Sequence, residues 1–174
     1  MNNDNVRFSA LDIANFIVDY ANNEMKYKNL TPIKLQKILY YVYVNCLTKH
    51  NYKLFDDSIE KWKFGPVVNR VYHSFKTYGT SHIDATVDNY KFTDRADGGF
   101  SFEIIPFNKR IIENSLVADE IKATINQYID MAPFDLVEKT HKEIPWKKFE
   151  SDILSGIKGL VYSDEELINY FGNK

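Results

Sequence analysis

Apolar residues recur at helical spacing from the start of the chain. Ala10, Ile13, Ala14, Ile17 and Ala21 share one face, and Ser9 stands where a capping hydroxyl is needed, with Asp12 in the first turn. This predicts an amphipathic helix from Ser9. Thr31-Pro32 opens a second one, because threonine caps well and proline fits the first helical position. Its middle, Ile38 to Leu47, is apolar or aromatic almost all round. A helix of that kind is normally surrounded by others. It is therefore expected at about 31–48, buried at the centre of the fold.

Leu54, Phe55, Ile59 and Trp62 are the anchors of a connector over residues 50–64. Gly65-Pro66 then reads as a break that starts the next helix, with Val68, Val71, Tyr72 and Phe75 as its inner stripe and Gly79 as its end. From residue 80 the period changes. Phe92 on one side, and Phe100, Phe102 and Ile104 on the other, alternate with polar residues around Asp97-Gly98-Gly99. This predicts a small β-hairpin near residues 87–105, expected to pack on the helices because an isolated hairpin is marginal.

Helical periodicity returns with Ala118, Ile121, Ile125, Tyr128, Ile129 and Ala132. Pro133 closes that helix or opens the next, which carries Phe134, Leu136, Val137 and His141. Pro145-Trp146 turns the chain. Ser163-Asp164-Glu165-Glu166 has the spacing of a capping box before Leu167, Ile168 and Phe171. No repeat, low-complexity tract or long linker divides the chain. The expected architecture is mainly α, with residues 1–8 disordered and residues 9–174 forming a single compact domain.

The 174 residues suit one core. Aromatic residues make up 15%, a high share that serves both packing and protein contacts. The net charge of −2 is not that of a chain built for nucleic acid. Two local basic runs nevertheless stand out: Lys26, Lys28, Lys34 and Lys37, and Lys139, Lys142, Lys147 and Lys148. The single cysteine, Cys46, lies inside an apolar helix and reads as an inert thiol, which suits a reducing cytoplasm. No stretch approaches the ~20 apolar residues of a membrane span.

Catalytic signatures are weak. Ser58 to Lys61 and Ser155 to Lys158 each have serine-lysine spacing, but without partner motifs. His50, His73, His82 and His141 have no metal-ligand spacing, and no glycine-rich phosphate loop occurs. No cofactor and no metal are expected. His141 lies seven residues after Phe134, on the same helical face, and Trp146 follows across a proline turn. Either they close the core or they line a groove that grips a partner. Lys34, Gln36 and Lys37 lie in the first turns of the second helix. They read either as polar residues at its accessible end or as a polar contact surface.

Three segments occur in order: Leu30-Thr31-Pro32-Ile33-Lys34-Leu35-Gln36-Lys37-Ile38-Leu39-Tyr40-Tyr41, then Trp62 with Gly65-Pro66-Val67, then Thr140-His141 with Pro145-Trp146. Together they resemble the Panacea antitoxin domain, the SocA-like or GepA-like phage-associated family, over about residues 10–150. The chain departs from the pattern at Lys61, where alanine is common, and at Phe64. The hairpin region carries no strong family motif. The resemblance implies a cytoplasmic, non-enzymatic protein that neutralises a cognate toxin by direct binding, in one branch as an adaptor to a AAA+ protease. It suggests Lys34, Gln36, Lys37, Trp62, His141 and Trp146 as partner-binding residues. Two alternatives remain open: a phage protein that inhibits a host defence protein in the manner of an anti-CRISPR factor, and a nucleic-acid-binding autorepressor that uses Lys34, Lys37, Lys139, Lys142, Lys147 and Lys148.

Overall fold

The computed structural model describes residues 8–172. The protein is mainly α-helical with two small antiparallel hairpins. Helix α1 (Ala10–Asp19) opens with a complete capping box: Ser9 Oγ accepts from the Asp12 N–H, and the Asp12 carboxylate accepts from the Ser9 N–H. It runs on into a π-helical turn, Tyr20–Glu24. The disorder expected at the N-terminus falls on residues outside the described ones, except at Phe8. Phe8 is buried, and its N–H donates to Leu54 O.

Helix α2 (Pro32–His50) begins at Thr31, whose hydroxyl caps the Lys34 N–H. It packs against α1 and against β2 (Gly65–Val68), and also against four later helices: α3 (Asn69–Phe75), α5 (Ala118–Tyr128), α6 (Pro133–His141) and α9 (Asp164–Phe171). Leu35, Ile38, Leu39, Val42, Val44 and Cys46 are fully buried. Burial pushes the Cys46 thiol up to about 12, so it stays protonated.

The segment after α2 differs from the helical expectation. Gly65-Pro66 does not start a helix. Ile59–Trp62 (β1) and Gly65–Val68 (β2) form an antiparallel hairpin, with Lys61 opposite Pro66 and Trp62 opposite Gly65. Helix α3 (Asn69–Phe75) begins only after Val68. Residues 160–162 lie along the other edge of β1. The Lys61 N–H donates to Leu160 O, and the Tyr162 N–H donates to Ile59 O. That edge of the hairpin is therefore covered.

The second hairpin pairs β3 (Asn89–Asp94) with β4 (Phe100–Ile105). Its strands and turn fall where the alternation places them, but the expected packing on helices is absent. Every residue of β4 is exposed, and so is all of β3 except Asn89. Only the base is fixed. The Asn15 side chain donates to Val87 O at 2.8 Å and accepts from the Val87 N–H at 3.0 Å. The Arg70 guanidinium also donates to Asn89 Oδ1.

Four helices follow: α4 (Lys109–Glu113), α5, α6, with Pro133 in its first turn, and α7 (Ile144–Lys147). Short α8 (Glu150–Leu154) and α9 complete the chain. Ser163 caps α9, but the Glu166 carboxylate, which a full capping box would turn back, reaches Lys61 instead.

Asn15 is buried and serves both backbone groups of Val87. Asn15→Ala should cost about 1–2 kcal/mol, because it leaves the half-buried donor and acceptor of Val87 without their partner. Urea denaturation checks the loss, and faster hydrogen exchange at the Val87 amide would place it at the hairpin base.

Candidate functional site

The first hairpin is held from both sides by long polar side chains that reach its backbone. From α2, Lys37 Nζ donates to Pro66 O at 3.0 Å. Gln36 makes a two-bond clasp with Val68, donating from Nε2 to its carbonyl and accepting its N–H at 2.9 Å. From the far side, Trp146 Nε1 donates to Trp62 O at 2.9 Å. The His141 ring stacks on Trp146 with centroids 3.7 Å apart. Five of the six expected partner-binding residues therefore converge on β1–β2 or are part of it.

Lys34 stands apart. Its ammonium donates to Tyr27 Oη and to Ile129 O, tying the loop before α2 to the end of α5. Lys34, Gln36 and Lys37 are all buried, so the reading of an accessible helix end does not hold. The physical reason is that α2 is covered from its first turn, and each of the three finds a backbone acceptor or donor inside. Trp62 is half-buried, with its indole N–H on Glu60 and its ring edge-on to Tyr72. Trp146 is fully buried, and His141 is half-buried with its Nε2 unpaired.

Sequence reasoning held Gly65 and Thr140 only as motif positions, without this role, and missed Glu143. Gly65 has φ +90°, and a Cβ there would lie 2.5 Å from Thr140 Oγ1 and 2.9 Å from Lys37 Cε. Two helices thus press on one glycine. Glu143 is buried and accepts from both Tyr40 Oη (3.0 Å) and Tyr41 Oη (2.7 Å). Together with burial, its charge holds both phenols far above their ordinary range. The available signal was the adjacent pair Tyr40-Tyr41 in an apolar helix, since buried hydroxyls need partners.

Outside this frame runs a groove of about 970 Å³. Trp62, Phe64, Val67 and Tyr72 line one side, and Ile153, Leu154 and Ile157 line the other. Phe64, Leu154 and Ile157 are half exposed or more. Lys63, Lys76 and Lys158 also line it. Among the described residues, no cluster of three or more histidine, cysteine or acidic side chains is placed to hold a metal ion. No helix among them is long and apolar enough to cross a membrane.

A sequence model of the SocA-like antitoxin, Panacea domain, matches residues 35–147. The chain belongs to this family. The matched stretch runs from the first turns of α2 to the end of α7 and contains the first hairpin with Gln36, Lys37, His141 and Trp146. The Panacea match leaves out α1, α8 and α9. No curated protein and no solved structure matches the chain significantly. Family membership ties the protein to toxin–antitoxin systems.

Two results should follow. Gly65→Ala should destabilise the Panacea domain by roughly 2–4 kcal/mol, combining a strained φ with overpacking against Thr140 and Lys37; thermal and urea unfolding check it. Burial lowers Lys37 from 10.5 to about 7. Between those values the unfolded chain binds the proton that the folded one sheds, so stability rises with pH. From pH 7 to 9.5 the wild type should gain stability. Lys37→Met should show a smaller gain, measurable by urea titration at each pH.

Proposed function

We propose that this protein is a non-enzymatic antitoxin that acts in the cytoplasm by binding a cognate toxin directly. The family match over residues 35–147 carries the reading. The geometry favours binding over catalysis. The polar motif side chains are spent inward on hairpin backbone, and what they display outward is an apolar groove lined by Trp62, Phe64 and Tyr72. In this reading Gln36, Lys37, His141 and Trp146 support the partner-binding surface from beneath, while Trp62 belongs to it. Lys34 fastens the frame at the opposite end of the α2 first turn. Delivery of the bound toxin to a AAA+ protease is compatible with such a surface.

The nucleic-acid reading loses ground on the same observations. Lys34 and Lys37 are buried, Lys142 and Lys147 pair with Glu138 and Glu150, Lys139 lies over the Tyr41 ring, and Lys148 lies over the Phe149 ring. A continuous basic face is not formed by these six lysines.

Co-expression with the product of the neighbouring gene tests the proposal. Protection of host growth, with a stoichiometric complex on size exclusion, is the expected result. Lack of protection from a toxic neighbour would refute it. Co-purification with a host defence protein instead would favour the phage-inhibitor alternative.

A further inference from the structure

The β3–β4 register places Tyr90 opposite Ile104, Phe92 opposite Phe102 and Asp94 opposite Phe100. Because strand side chains alternate, Tyr90, Phe92, Phe100, Phe102 and Ile104 all fall on one face. They are exposed by 51%, 76%, 81%, 68% and 50%. Five such side chains leave on the order of 700 Å² of apolar surface in water. An ordinary monomer's largest apolar patch is about 300–600 Å². Each partner in a standard protein–protein interface contributes roughly 800 Å². The face is thus nearly as large as one side of an interface, and its base is fixed to α1 and α3 through Asn15 and Arg70.

Charge selects the occupant. Residues 84–105 carry five exposed carboxylates against two cations; Asp97 pairs with Arg95 and Glu103 stands opposite Lys91 on the other face, which leaves Asp84, Asp88 and Asp94 as the acidic border of the aromatic face. The segment is more negative than the chain as a whole, whose net charge is −2. A second copy would set this acidic border against itself. A partner with lysines and arginines around an apolar patch would be attracted and aligned. Resting on the antitoxin reading above, we propose that the aromatic face of β3–β4 is a toxin-gripping surface, and that the toxin presents an apolar patch bordered by basic residues.

The test compares wild type with the Phe92→Ser/Phe102→Ser double variant in the co-expression assay, with circular dichroism melting as the fold control. Both positions are exposed, so the variant is expected to melt as the wild type does. Protection by the wild type and at least a 100-fold loss of surviving colonies with the variant is the expected result. Full protection by both overturns this inference and leaves the antitoxin reading standing. Failure of the wild type overturns that reading, and this inference with it. A dimer of the protein alone that the double variant abolishes would assign the face to a second copy and overturn the proposal. Should the double variant not fold, Asp88→Lys/Asp94→Lys decides: it should slow association with the purified toxin at least tenfold and flatten its salt dependence, and an unchanged rate refutes the proposal.

Discussion

A polar side chain shut away from water must find a partner, and this requirement organises the domain. Lys37 and Gln36 sit on a helix with no wet side at that level, and the partners they find are backbone groups of Pro66 and Val68. The first hairpin is therefore positioned by satisfying the helix, and the helix is satisfied by the hairpin. Trp146 and His141 complete the same arrangement from the other side. Gly65 lies at the tightest point, where Thr140 and the Lys37 stem leave no room for a side chain.

This arrangement separates two tasks that the motif residues otherwise confuse. Side chains with chemical character face inward and hold backbone. Side chains with little chemical character, among them Phe64, Leu154 and Ile157, face outward and offer area. Such a surface suits recognition by shape and apolar contact, which fits the family to which the chain belongs.

Much of the helical frame was legible in the sequence because caps and periodicity are local signals. Ser9, Thr31 and Ser163 cap where their spacing indicates. The first hairpin was not legible. Its strands are four residues each, too short for alternation to show, and proline after glycine imitates a helix start. Burial of Lys34 and Lys37 ran against residue type. It was implicit in the all-round apolar character of the same helix, which leaves no exposed face for them. The second hairpin shows the opposite limit. Alternation at Phe92, Phe100, Phe102 and Ile104 is a local property, whereas what covers that face depends on where the base is attached. Asn15 and Arg70, distant in sequence, decide that.

Lys61 is buried against Glu166, Phe149 and Tyr162. Its carboxylate partner lies beyond the matched residues 35–147. The two members of this pair thus lie on opposite sides of the limit of the family match. A chain cut or exchanged after the matched residues would strand a buried ammonium, so Lys61 makes the matched region depend on the C-terminal segment that follows it.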